Sequence, residues 1–143
     1  MATAAEPIPP RLHPQEISFP LPKALHTTAH IHLTLLDTCV MVFLATSTPG
    51  DSAGTVKPMG SLIYAMPDLK SPTTPLSTTI YSAPNSVEYT TRVAKILARR
   101  LRIPVYVGSS IDPTSLSLQV EEEMEGLRQI VEVVVERWKD ARR

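Results

Sequence analysis

The sequence predicts an α+β fold: a single, mostly antiparallel β-sheet of five to six strands with two main helices, and one sheet face covered by a partner subunit. Three observations support this prediction. β-rich runs separated by loops containing Gly and Pro fill the first half of the chain. Two amphipathic helical patterns follow them. Several strands are apolar on both faces, although two helices most naturally cover only one face.

Length and charge set limits on the function. A chain of 143 residues fits one domain. With 14 basic and 14 acidic side chains the formal net charge is zero, so no overall field favours a nucleic acid or an anionic membrane. The longest apolar stretch, 31–46, contains Asp37 and is shorter than the roughly 20 residues that span a bilayer. We therefore predict neither a nucleic-acid nor a membrane partner.

The N-terminal segment is rich in proline, which fixes φ and removes a backbone donor. Prolines occupy positions 7, 9, 10 and 14, and no apolar stretch has the length of an export signal. The pattern predicts a flexible proline-rich arm over 1–16 and a single domain over 17–143. Cys39 is the single cysteine and cannot form an internal disulfide, which favours a reducing compartment, the cytoplasm or also the nucleus.

The run AHIHLTLLDTCVMVFLAT, 29–46, is typical of a β-hairpin that turns at Asp37-Thr38. Its first arm alternates apolar and polar residues. Its second arm is apolar on both sides, with Val40, Val42 and Leu44 on one face and Cys39, Met41 and Phe43 on the other. Such a strand lies mid-sheet with cover on both faces. Because the helices cover one face, we assign Cys39, Met41 and Phe43 to a dimer face.

The remaining elements follow from periodicity and turn residues. We expect strands at 60–66, 76–80 and 105–109, the last fully buried. A first helix has Asn85 or Ser86 as its N-terminal cap, with Glu88 reaching back to free backbone donors, and ends near 102 before Pro104. A long second helix begins at Asp112-Pro113 or, because 116–120 also alternates like a strand, near 119.

Four basic residues on the first helix form a ridge, which we call the basic ridge: Arg92, Lys95, Arg99 and Arg102. Their spacing places them on one helix face. A solvated helix exterior explains such a pattern, and a docking surface for an acidic partner also explains it. The acidic run Glu121, Glu122, Glu123 and Glu125 could instead neutralise the ridge within the monomer. The sequence leaves these interpretations open.

Candidate catalytic and metal-binding groups lack the partners that their chemistry requires. His26, His30 and His32 have no nearby cysteine or carboxylate spaced to complete a tetrahedral zinc site. Cys39 lies in an apolar run, where a thiol is buried and unreactive. The stretch PGDSAGTVKP lacks the order of a phosphate-binding loop. We predict no catalytic residue, no cofactor and no metal site.

From residue 17 to about 135, the chain resembles the proteasome assembly chaperone 4 family in its fungal form. The resemblance rests on the succession of AHIHLTLLDTCVMVFLAT, MGSLIYAMP, PLSTTIY, SVEYTTRVAKILARRLRIPVYVGSSID and LSLQVEEEME. It implies a non-enzymatic chaperone for 20S proteasome assembly that forms a heterodimer with a proteasome assembly chaperone 3-like subunit. It further implies that the pair binds α subunits, the fifth in particular, during formation of the α-ring.

Two alternatives stand beside this interpretation. A small dimeric scaffold of the longin or roadblock type also joins a helix-flanked sheet to a partner, but it usually places a long helix early in the chain. Here roughly 70 residues of predicted strand and loop come first. A thiol or metal hydrolase would need Cys39 or the histidines in a cleft, and would make the thiol reactive in the native protein.

Overall fold

The computed structural model describes residues 14–22, 24, 26–51 and 57–142. A six-stranded sheet runs in the order β1-β2-β3-β6-β4-β5. The elements in chain order are β1 (Gln15–Pro20), β2 (Thr28–Leu35), β3 (Val40–Ser47), β4 (Ser61–Met66), β5 (Leu76–Tyr81), α1 (Val87–Leu101), β6 (Val105–Ser109) and α2 (Val120–Ala141). All neighbouring strands pair antiparallel except β3 and β6, which are parallel. The predicted α+β class and mostly antiparallel sheet are confirmed.

One face of the sheet and both helices enclose the main core. Val42 of β3 pairs in register with Val107 of β6, which pairs in turn with Ile63 of β4, and all three side chains are buried. Val93 and Leu97 of α1 and the valines of α2 pack against this layer. α1 meets the sheet through buried alanines as well, which let a helix backbone approach closely. Both helices therefore cover the same face.

The central hairpin forms as its sequence predicts. The backbone N–H of Leu36 donates to the carbonyl of Cys39 at 2.9 Å, which closes the turn around Asp37 and Thr38. Val40, Val42 and Leu44 are buried against the helices, whereas Met41 and Phe43 lie on the opposite face. Cys39 differs from the prediction, because it is partly exposed in the turn and precedes β3. It is not a core thiol.

The helix starts differ in detail from those expected. Ser86 is the N-terminal cap residue of α1, but neither its hydroxyl nor Glu88 caps a free backbone donor. The hydroxyl instead hydrogen-bonds the Ser61 hydroxyl of β4 at 2.9 Å, which ties the helix start to the sheet. α2 begins at Val120 behind a capping box between Gln119 and Glu122. The start at Asp112-Pro113 is wrong, because the left-handed backbone of Ser117 ends that turn.

The N-terminal boundary also shifts. Gln15 and Glu16, assigned to the arm from the sequence, belong to β1, an edge strand that pairs with β2. Of the rest of the predicted arm, Pro14 is described and 1–13 lies outside the described residues, as does 52–56 between β3 and β4. None of the helices in the described ranges is long and apolar enough to cross a bilayer.

Candidate interaction surface

The face of the sheet opposite the helices carries no helix from the described part of this chain. We call it the open face. Strand register places on it side chains from β2, β3, β6 and β4, and they are mostly half-buried. They are His30, His32, Met41, Phe43, Ala45, Tyr106, Leu62 and Tyr64. Their largest members are aromatic or apolar, a composition typical of interface cores rather than of solvated sheet faces.

The ring of Phe43 lies over β6 because Gly108, its neighbour in that strand, has no side chain. A Cβ on Gly108 would lie only 2.6 Å from Cδ1 of Phe43 and 3.3 Å from Cγ of Met59. Next to the Phe43 ring the open face forms a shallow cavity of about 530 Å³, which Met59 and His32 also line. Its lining is more apolar than polar, with Glu16 and Lys57 as the charged members, so it can accept an apolar side chain from another protein.

A polar strip crosses the open face and forms part of the lining of this cavity. The Ser18 hydroxyl hydrogen-bonds Nδ1 of His30 at 2.8 Å, and Nε2 of the same ring bonds the Ser47 hydroxyl at 2.6 Å. Both ring nitrogens of His30 therefore have partners within the fold. His32 lies on the same face, with its ring 6.3 Å from that of Phe43. This strip joins β1, β2 and β3 and limits how the open face can deform.

Tyrosines extend the surface toward the far edge of the sheet. The rings of Tyr64 and Tyr106, cross-strand partners in β4 and β6, are 4.7 Å apart between centroids. Such tilted pairs stabilise neighbouring strands. Beyond them, Leu76 of β5 pairs with Met66 of β4 at the outer edge, and both are exposed. The open face thus stays apolar from β3 to β5.

The basic ridge is partly neutralised within the fold. Nη1 of Arg92 donates to Oε1 of Glu123 at 3.1 Å, so one member pairs with the acidic start of α2. Arg102 follows the helix as its C-terminal cap, in a left-handed backbone conformation with φ 59°. Lys95 and Arg99 remain exposed on α1, without an ion pair among the residues that the structure describes.

A second ion pair joins α1 to α2 on the helix side of the molecule. Nη1 of Arg100 donates to Glu132 at 2.9 Å, and this hydrogen bond holds the pKa of the Glu132 carboxyl below its usual range. Tyr89, in the first turn of α1, is buried, and burial raises the pKa of its phenol. In the described ranges, no three His, Cys, Asp or Glu side chains converge as metal ligands.

Sequence reasoning found part of this surface and missed the rest. The alternation of β3 places Met41 and Phe43 on the open face, whereas Cys39 lies in the turn at its end. Gly108 and Met59 were not singled out, because a glycine in a strand signals close approach only once its neighbour is known. The serine partners of His30 come from β1 and from the end of β3, and only the register brings them together.

The family model described as proteasome assembly chaperone 4 matches 28–111, which runs from the start of β2 to just past β6. No curated protein matches the sequence. Among solved structures, the fold is similar to a chain in the crystal structure of a novel chaperone complex for yeast 20S proteasome assembly. The TM-score is 0.66 at 14% identity, over 90% of this chain and 98% of that chain. Because the family model matches more than half of its length, this chain belongs to the proteasome assembly chaperone 4 family.

Proposed function

We propose that this protein is a non-enzymatic chaperone of 20S proteasome assembly that works as one subunit of a heterodimer. Its partner is a proteasome assembly chaperone 3-like subunit that covers the open face. The pair binds proteasome α subunits, the fifth in particular, during α-ring formation in the cytoplasm and also in the nucleus. The observation that carries this proposal is the apolar open face of a sheet whose helices both lie on the other side.

The size and composition of the open face support an obligate partner rather than a solvated surface. Met41, Phe43, Tyr64 and Tyr106 present apolar area in one layer, with the cavity beside Phe43 as an obvious receptor for a side chain. Sheets that pack face to face bury such side chains in a layer about 10 Å thick. The fold similarity to a chain of a chaperone complex for yeast 20S proteasome assembly supports a place for this fold in such a complex.

The test of the pairing surface compares methionines on opposite sides of the sheet. Met41→Asp with Phe43→Asp places charge on the open face, whereas Met124→Asp places it on α2, where Met124 is exposed. Each variant is co-expressed with the chaperone 3-like subunit, and the complex is measured by size-exclusion chromatography. We expect the open-face variant to bind its partner at least about thirtyfold more weakly, as for the loss of an interface anchor.

The control variant Met124→Asp should pair normally. If Met124→Asp abolishes pairing and the open-face variant still pairs, the interface lies on the helices. Circular dichroism of both variants checks that the fold is kept. If both variants pair like the wild type, the open face has some other role.

The basic ridge is our candidate for the first encounter with the client α subunit. Its free members, Lys95 and Arg99, lie on α1, away from the proposed pairing face. Exposed charges change association rates more than folding stability, because exposed ion pairs contribute only about 0–1 kcal/mol. Lys95→Glu with Arg99→Glu should therefore slow client association and reduce its dependence on salt, while the heterodimer still forms.

The matched control reverses two exposed charges on α2, Arg128→Glu with Lys139→Glu. It changes the net charge by the same amount at a different place. Association of the purified heterodimer with the fifth α subunit is measured at low and high salt for both variants. Equal slowing by both variants would assign the effect to net charge, and no slowing by either would leave the ridge as a solvated helix exterior.

A further inference from the structure

β5 ends the sheet with an open backbone edge. It pairs with β4 on one side, and no described strand pairs with it on the other. All six of its residues are exposed. In an antiparallel strand, alternate residues direct their N–H and C=O groups away from the paired neighbour. The outer side of β5 therefore offers unpaired donors and acceptors in the plane of the sheet.

The two edges of the sheet differ in how they are protected. β1 carries Glu16 and ends at Pro20, and Gln15 accepts a hydrogen bond from Arg137 of α2 at 3.1 Å. Charge and proline are common means of preventing edge-to-edge pairing. β5 has neither, and no charged residue occurs between Lys70 and Glu88.

Large apolar side chains accompany this unprotected edge. Leu76 is 54%, Ile80 53% and Tyr81 59% exposed. A bulge near Ile80 interrupts the pairing with β4, so the regular part of the edge is the run Leu76–Thr79. A soluble protein that leaves such a strand uncovered risks aggregation unless another chain uses it.

A subunit on the open face does not use this edge. Face-to-face packing places the second sheet about 10 Å above the first, whereas strand addition requires a chain about 4.8 Å away in the plane of the sheet. The edge of β5 therefore stays available after the proposed heterodimer has formed. This argument assigns the edge to the client rather than to the chaperone partner.

We infer that the outer edge of β5, Leu76–Thr79, is a strand-addition site at which an extended, uncharged segment of the client α subunit pairs. The inference rests on the proposed function for the identity of the client. Main-chain hydrogen bonds supply affinity in this mode of recognition, and alternate side chains supply specificity. Client binding then has two stages. The basic ridge first attracts the client electrostatically, and β5 then pairs with its extended segment.

The test adds charge to the edge without changing the open face. Ser77 and Thr79 pair with Ala65 and Ile63, which are buried on the helix side, so their exposed side chains lie on that side too. Ser77→Lys with Thr79→Lys introduces the lysines that natural edge strands use. The control is Ser71→Lys with Thr73→Lys, which adds the same charge to the exposed loop before β5.

Each variant heterodimer is titrated with the purified fifth α subunit, and amide exchange is measured across β5. We expect the edge variant to bind the client about tenfold more weakly than the wild type. The control variant should bind the client like the wild type, and both variants should still form the heterodimer. In the wild type, β5 amides should become protected only when the client is added. Protection by the chaperone partner alone, or by concentrating the isolated chain, would overturn the inference. So would equal client affinity for both variants.

These outcomes separate this inference from the proposed function. If the wild-type heterodimer binds the α subunit and the edge variant binds it equally well, the proposed function stands and the edge site is wrong. If the wild-type heterodimer binds no α subunit, the proposed function itself fails, and the assignment of the client fails with it.

Discussion

Gly60 is the position where one added methyl group should most damage the fold. Its φ is +78°, and a Cβ there would lie 2.1 Å from the Ser109 carbonyl oxygen and 2.6 Å from Cα of Ser110. Both are backbone atoms, which cannot rotate away. Ser109 pairs with Ser61 at the start of the β4–β6 ladder, so the clash must open that end of the sheet.

The size of the loss follows from these contacts. A left-handed backbone costs a non-glycine residue about 1–2 kcal/mol. The Ser61 hydroxyl bonds the Ser86 hydroxyl at 2.9 Å, the Ala83 carbonyl at 3.1 Å and the Ala83 N–H at 3.0 Å. Each hydrogen bond contributes about 0.5–1.5 kcal/mol. Loss of one or two of them together with the strain gives about 1.5–5 kcal/mol, or a melting temperature roughly 5–15 °C lower.

The assay is thermal unfolding followed by circular dichroism on heterodimers purified in parallel. The matched control is Gly50→Ala, because nothing lies within 4 Å of a Cβ built on Gly50. We expect the control to melt like the wild type. A Gly60→Ala protein that melts within about 2 °C of the control would refute the reasoning, because it would mean that the β4–β6 junction can relax around the methyl group.

Three further outcomes follow from single residues. Gly108→Ala should lower the free energy of unfolding by about 1 kcal/mol in the wild type and by almost nothing in a Phe43→Ala background, because the added Cβ meets the Phe43 side chain, which can turn. Equal losses of this free energy in both backgrounds, measured by urea unfolding, would contradict this. Arg102→Gly should raise the free energy of unfolding by about 0.5–1 kcal/mol, because φ there is 59°, and a decrease would mean that the arginine side chain makes a stabilising contact. Burial raises the pKa of Tyr89, so its contribution to stability is complete below about pH 10, the usual pKa of an unfolded tyrosine, and declines above it. Tyr89→Phe should reduce the alkaline loss of stability measured from pH 9 upward, and an unchanged profile would assign that loss to other groups.

Local patterns predicted the elements whose neighbours in sequence are also neighbours in space. The hairpin of β2 and β3 and the inner stripe of α1 required only periodicity and a turn. The spacing predicts an inner stripe of Tyr89, Val93, Ile96, Leu97 and Leu101, and all are buried except Ile96, which is half-buried at its margin. These patterns are reliable because each element buries one continuous face.

The prediction of one continuous apolar stripe along the second helix is wrong at the start of that helix, for a physical reason. Val120 and Met124 continue the spacing of Leu127 and Val131, yet they are exposed, and only the later pair is buried. The first turns of α2 meet a charged side chain of α1 instead of the apolar core, because Nη1 of Arg92 contacts both Glu123 and the sulfur of Met124. Helical spacing states which residues share a face, but not where along the helix that face has a partner.

Pairings between distant segments could not be predicted from local signals. β1 is short and ends in proline, a weak strand pattern that becomes clear only when β2 is present to pair with it. The parallel contact of β3 with β6 depends on the crossover through β4, β5 and α1. The cavity beside Phe43 depends on that contact as well, because Gly108 lies in β6. The pairing surface was therefore predicted as a set of strand residues rather than as a shaped site.

The position of β6 between β3 and β4 has a consequence during synthesis on the ribosome. Until β6 is made, the sheet exists as two separate pieces, β1-β2-β3 and β4-β5, which share no hydrogen bonds with each other. About 60 residues separate the end of β3 from the end of β6, which take roughly 3–12 s to translate. For those seconds, the inner edge of each piece is a second exposed strand edge. The nascent chain is therefore itself expected to need protection by general chaperones before it can assist the assembly of another complex.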